Sequence, residues 1–208
     1  EAQRPAAALF DQAARDPARL LNATTPLDYS RRADREIALY AFDQLARRNS
    51  DQAERALAKR SAQFTAEEWG TAWARLATWA ARRHETTALA WFQQAGTAVS
   101  SDFQREWWAR AALRAGDWQA VQRAIDGMGE ASRTQPVWRY WRARALQAGG
   151  QRAAANPLFL ALSREHHYYG QLAQEELGPV MQAPPVNIKV GGDDVAAIAR
   201  HPGIARAL

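Results

Sequence analysis

The side chains best equipped for chemistry in this chain are few, and their spacing argues against most reactions. Glu165 precedes the only histidine pair, His166 and His167. Neighbouring residues on a helix point about 100° apart, so this pair chelates a metal poorly compared with i, i+4 spacing. Capping or packing at a helix start accounts for it better. His84 and His201 stand in loop-like contexts. Carboxylates pair at Glu67/Glu68, Glu175/Glu176 and Asp193/Asp194. Glycoside cleavage by two carboxylates needs a cleft and one raised pKa, whereas these pairs sit where helix starts and solvated helix faces place acids. The chain has no cysteine, which rules out disulfides, thiol catalysis and thiolate-held zinc. It has no Ser/His/Asp signature, no G-x-S-x-G and no phosphate-cradling loop, since Gly191-Gly192 is an isolated pair. No catalytic residue, no metal ligand and no cofactor-binding residue is assigned.

Aromatic residues remain. Nine tryptophans stand in 208 residues. Trp73, Trp108 and Trp141 fall at a regular interval and are expected to pack between helices. Trp69, Trp79, Trp91, Trp107, Trp118 and Trp138 are less tied to that interval. Trp107, Trp138, Tyr140, Tyr168 and Tyr169 are the candidates for stacking on sugar rings.

The elements that must position them are helices throughout. Alanine and arginine are abundant and β-branched residues few, which favours helix nearly everywhere. Asp16-Pro17 is an N-cap and first-turn pair joining two short helices, and Thr25-Pro26 repeats the device before a helix or helix pair running to about Arg48. Asn49-Ser50 predicts a break and a second helix through Ser61. FTAEEW at Phe64–Trp69 holds a Thr65/Glu68 capping box, with Phe64 and Trp69 at the two positions of a hydrophobic staple. A helix to about Arg82 follows, with a return partner from Glu85 to Gly96. Ser101/Gln104 is a second capping box, opening a helix that ends at Gly116. Asp117 caps its return, where Trp118, Val121, Ile125 and Met128 share one face. Pro136 opens the next helix, with Trp138, Trp141, Ala145 and Ala148 in one stripe, and Gly149-Gly150 closes it. Pro157 is expected to bend the helix that follows. A third helix opens at HHYYG and closes at Gly178.

Tyr40, Trp73, Trp108 and Trp141 occupy equivalent places at intervals of 33, 35 and 33 residues. Small residues recur after them, at Ala74, Ala109 and Ala143, then at Ala77, Ala112 and Ala145. A period near 34 with one helical hairpin per unit predicts an all-α solenoid or superhelix of antiparallel helix pairs, tetratricopeptide-like but irregular. Residues 1–33 form N-terminal helices and residues 34–178 the helical-repeat body. Residues 179–208 form a Pro/Gly linker, with an extended run at Val186–Val190, and the start of another helix that is expected to continue beyond Leu208.

The net charge is +5, and all basic residues but Lys59 and Lys189 are arginine. Arginine alternates with Asp and Glu along every helix rather than forming a stripe or tail, so solvated helix faces are expected and a nucleic-acid partner is not. No apolar run approaches the roughly 18 residues of a membrane span. Glu1 in place of methionine points to a processed protein or a trimmed piece of one.

Three stretches carry a family likeness: RAALRAGDWQAV at Arg110–Val121, WRYWRARAL at Trp138–Leu146 followed by AGGQ, and HHYYGQLAQEELG at His166–Gly178. Together they resemble the superhelical domain of bacterial soluble lytic murein transglycosylases, and DVAAIARHPGIARAL resembles the start of that family's linker domain. The likeness runs from about residue 34 to 208, and the YYG-x-LA-x-x-x-LG string is its most specific part. It implies a periplasmic protein whose parent cleaves the MurNAc-β-1,4-GlcNAc bond of peptidoglycan to 1,6-anhydromuropeptides. It further implies glycan strands as partner and a C-terminal catalytic domain of the same polypeptide. That domain's Glu-Ser and Gly-Leu-Met-Gln motifs do not occur here. The resemblance therefore implies a non-catalytic region that holds glycan and supports the catalytic domain. Two rival functions are a tetratricopeptide-like protein scaffold, from the period alone, and RNA binding, from the arginine content.

Overall fold

The computed structural model describes residues 3–23, 27–178, 191–202 and 204. The expected starts at Thr25-Pro26 and the expected extended run at Val186–Val190 lie outside them. Among the described residues the chain is all-α, with helices α1 (Gln3–Arg15), α2 (Pro17–Asn22), α3 (Arg32–Arg48), α4 (Ser50–Ala58), α5 (Ala66–Arg82), α6 (Ala88–Ala95) and α7 (Asp102–Ala115). They are followed by α8 (Trp118–Asp126), α9 (Glu130–Arg133), α10 (Pro136–Ala148), α11 (Arg152–Leu162), α12 (Tyr168–Leu177) and α13 (Gly192–Ala199).

The capping chemistry sets most of these starts. Arg19 N–H donates to Asp16 at 3.0 Å, Gln52 N–H to Asn49 at 2.9 Å and Ala120 N–H to Asp117 at 2.8 Å. Both capping boxes close, at Thr65/Glu68 and at Ser101/Gln104. The Phe64 ring packs edge-on against Tyr29 and Phe42, while Trp69 packs against Trp73. Phe64 thus reaches back to the turn before α3 and to α3 itself, while Trp69 pairs one turn along its own helix. Helix α3 begins only at Arg32, because Asp28 and Ser30 form a turn before it and the Asp34 carboxylate accepts from Asp28 N–H at 2.8 Å. Helix α4 stops at Ala58 rather than Ser61, and α11 runs unbroken through Pro157.

Adjacent helices pair as hairpins: α3 with α4, α5 with α6, α7 with α8 and α10 with α11. The first helices of successive hairpins also stack, α1 on α3, α3 on α5 and α5 on α7. Alanines at 74, 77, 109 and 112 are fully buried, so these helices approach closely and leave room for the Trp73 and Trp108 rings beside them. The series changes after α7, since α10 docks mainly on α8. Helix α10 then has two sides. Trp138 and Ala145 join the large core reaching back to Ala13, whereas Tyr140, Ala143 and Leu146 form a second core with Ala155, Phe159, Leu162 and Ala173.

Arginines tie the stacked helices together end to end. Arg48, at the end of α3, donates to the Arg15 and Ala14 carbonyls of α1 at 3.0 and 2.7 Å. Arg83, just past α5, donates to the Arg47 and Ala46 carbonyls of α3 at 3.1 and 2.8 Å and to the Ser50 hydroxyl. Arg114, in the last turn of α7, donates to the Ala81 carbonyl of α5 at 2.9 Å. The last carbonyls of a helix lack intrahelical partners and carry its negative dipole end, so a guanidinium is well placed there. These arginines are structural, which corrects the expectation of solvated helix faces for them. Arg83→Met should lower stability by about 1–2 kcal/mol in urea unfolding, a charged hydrogen-bond donor discounted for its partial exposure. Arg83→Lys should restore little of it, because one ammonium cannot span two carbonyls and a hydroxyl as the guanidinium fork does.

The first helices also end alike. At α5, α7 and α10 the chain turns through a left-handed residue, His84 (φ 62°), Gly116 (φ 70°) and Gly150 (φ 77°). The next residue's N–H then reaches back to Ala80, Ala112 and Leu146 respectively, the Schellman arrangement. At His84 that conformation is held by a side-chain-bearing residue, at a cost glycine avoids. His84→Gly should therefore raise stability by roughly 0.5–1 kcal/mol, visible as a higher urea midpoint. A neutral or lowered midpoint would show that the imidazole contributes its own contacts.

Candidate functional site

The five residues picked out for sugar stacking divide into two groups. Tyr140, Tyr168 and Tyr169 meet where α10 and α12 pack. Tyr140 is only 3% exposed, and its hydroxyl donates to Glu176 at 3.2 Å while accepting from Arg144 at 3.2 Å. Arg144 also pairs with Glu176, and burial pushes the Tyr140 phenol above its ordinary pKa. Tyr140 is therefore a pillar that fastens α12 to α10. The Tyr169 ring lies 5.7 Å from Tyr140 and 5.2 Å from Tyr168, and Tyr168 projects outward at 66% exposure. Of these three, Tyr168 presents a ring to solvent.

The local chemistry of HHYYG explains how that tyrosine is held. His167 is the N-cap of α12, its Nδ1 accepting from Gly170 N–H at 3.0 Å. That leaves the proton on Nε2, which faces Glu165 at 2.9 Å. Arg139 bonds the same carboxylate at 2.7 Å. The bonds from His167 and Arg139 hold Glu165 below the ordinary glutamate pKa. Glu165 and His167 thus act as a helix start, as the spacing argued, while His166 is exposed. Gly170 sits against backbone: a methyl there would overlap the Glu165 carbonyl oxygen and lie 3.0 Å from the Leu162 oxygen.

Trp107 and Trp138 form the second group, joined by an arginine. The Arg110 guanidinium lies 5.0 Å from the Trp107 ring centre and 4.9 Å from that of Trp138, and its Nη1 pairs with Glu106 at 3.2 Å. Trp138 is 1% exposed, so its ring has no face open to a ligand. Trp107 is half-buried, with Phe103 against it at 6.4 Å and 53% exposed. Phe103, Trp107 and Arg110 are spaced i, i+4, i+7 on α7, one helical face. That spacing is readable in the sequence, where Phe103 and Arg110 stand four before and three after Trp107.

Among the described residues no cluster of three His, Asp or Glu side chains is placed to hold a metal, and no helix is long and apolar enough to cross a membrane. The acidic pairs are spoken for in part: Glu68 receives Arg35 at 3.0 Å and Thr65 N–H at 2.9 Å, and Glu176 receives Tyr140 and Arg144. Among the described residues the surface offers open aromatic and cationic area, with Phe103 and Tyr168 more than half exposed.

No protein-family model matches this chain, and no curated protein matches it. Solved structures do. One is an inactive mutant of lytic transglycosylase Slt from Pseudomonas aeruginosa, 23% identical, with a TM-score of 0.67 over 97% of this chain and 33% of that one. Another is the 70-kDa soluble lytic transglycosylase in complex with bulgecin A, 21% identical, with a TM-score of 0.58 over 94% of this chain and 32% of that one. This chain therefore spans about a third of the length of either structure, and over that third it has the fold of a soluble lytic transglycosylase.

Proposed function

We propose that this chain is the non-catalytic superhelical region of a peptidoglycan lytic transglycosylase, acting in the periplasm to hold glycan strands beside a catalytic domain of the same polypeptide. The observation that carries this is the match of nearly the whole chain to a partial stretch of two lytic transglycosylases. The HHYYGQLAQEELG string, the most specific part of the family resemblance, supports the same reading. The role assigned is positional: the carboxylates held below their ordinary pKa, Asp28, Glu68, Asp102 and Glu165, serve turns, helix starts or inter-helix bonds.

The test is a sedimentation and product assay on the 208-residue chain. Mixed with purified peptidoglycan sacculi, it is expected to pellet with them and to release no anhydromuropeptides by mass spectrometry. Release would reveal an active site in these residues. A chain left wholly in the supernatant would remove the glycan-holding role and favour a protein-binding scaffold.

A further inference from the structure

We infer that a continuous strip of arginine and aromatic side chains across α3, α5 and α7 is a binding surface for a glycan strand that carries carboxylates. This rests on the peptidoglycan role proposed above and names the surface that would perform it.

The strip is a chain of contacts. Arg47 lies 5.6 Å from the Trp79 ring centre, and Arg82 lies 4.7 Å from the same ring and 5.9 Å from that of Phe103. Phe103 meets Trp107, and Trp107 meets Arg110. Three helices thus contribute to one unbroken run. Two carboxylates lie along it, and both have partners: Asp43 accepts from the Trp79 indole N–H at 3.0 Å, and Glu106 pairs with Arg110. Arg47 and Arg82 are exposed and form no ion pair among the described residues.

The chemistry of such a run is specific. A guanidinium laid on an aromatic ring is held in place by the ring's quadrupole while its N–H edge still faces outward. That edge is a planar fork matched to a carboxylate. Phe103, more than half exposed, adds an open apolar ring for the C–H face of a sugar. Among the described residues, the strip's unpaired cations stand on α3 and α5, as Arg47 and Arg82, while its α7 arginine, Arg110, is already paired with Glu106. That spacing suits a polymer with intermittent acids, and it is sparse for a nucleic acid with a phosphate at every nucleotide.

The test compares sedimentation of the wild-type 208-residue chain with an Arg47→Gln/Arg82→Gln double variant, with Phe103→Ala and with Arg152→Gln, an exposed arginine off the strip. Melting curves confirm folding in each. Binding to purified sacculi should fall about tenfold in the double variant, fall less in Phe103→Ala and stay unchanged in Arg152→Gln. Sacculi whose carboxylates have been amidated with carbodiimide should bind the wild type about tenfold more weakly, with no additional loss in the double variant. A double variant that pellets like the wild type overturns the strip and leaves the glycan-holding role standing. A wild type that does not pellet overturns that role and this surface with it. Tighter binding to a single-stranded oligothymidylate, lost in the double variant, would make the strip a nucleic-acid surface and overturn the glycan assignment.

Discussion

Replacing Gly170 by alanine is expected to lower the melting temperature by roughly 6–12 °C, the shift that about 3 kcal/mol produces in a chain of this size. The reason is steric and local. The added methyl would overlap the Glu165 carbonyl oxygen and lie against that of Leu162. Both atoms are backbone, so no rotamer change relieves the contact. Glu165 cannot withdraw freely either, because its carbonyl accepts from His167 N–H at 3.0 Å while its side chain engages His167 and Arg139. The variant must push α12 off the end of α11, opening the small core around Phe159, Leu162 and Ala173. Hydrogen exchange should show α11 and α12 losing protection before α3 to α7 do. A variant with wild-type melting would mean that the segment 163–167 can shift as a unit at little cost.

Trp138→Ala should cost about 3–5 kcal/mol, the usual toll for emptying a buried indole site. It is the largest of the fully buried side chains and lies under Arg110, so its removal also leaves that guanidinium without one of its two rings. The more telling variant is Trp138→Phe. Among the described residues the buried indole N–H has no hydrogen-bond partner, a state that itself costs about 1–3 kcal/mol. Phenylalanine removes that burden while keeping a ring for Arg110, so its net cost should be about 1 kcal/mol or less. Urea unfolding of the two variants separates the contributions. A Trp138→Phe loss well above about 1 kcal/mol would show that the Trp138 N–H is engaged.

The sequence disclosed helix starts far better than helix neighbours. Asp16, Asn49, Thr65, Ser101 and Asp117 cap their helices as their types and spacing argued, because a cap is settled within four residues. Contacts between helices depend on where elements dozens of residues apart come to rest. That is why the Arg48, Arg83 and Arg114 bonds to preceding helices were hidden among charges that looked solvated. The docking of α10 on α8 was hidden for the same reason. In the candidate site the five rings looked alike in the sequence, yet Tyr168 is exposed at the start of α12 while Trp138 and Tyr140 are buried on two sides of one helix. An i, i+3 or i, i+4 pattern shows that residues share a face and leaves open whether the face meets water.

The arginine bonds between stacked helices also have a direction. In each case the donor lies later in the chain than the carbonyls it covers. During synthesis from the N-terminus, a first helix therefore emerges with its last carbonyls still hydrated, and it is completed only when the next hairpin has left the ribosome. Every hairpin waits on its successor, until α7 and α10 finish with glycines of their own. Shortening this protein from the front would strand an arginine in water, which costs little. Shortening it from the back would uncover a helix end.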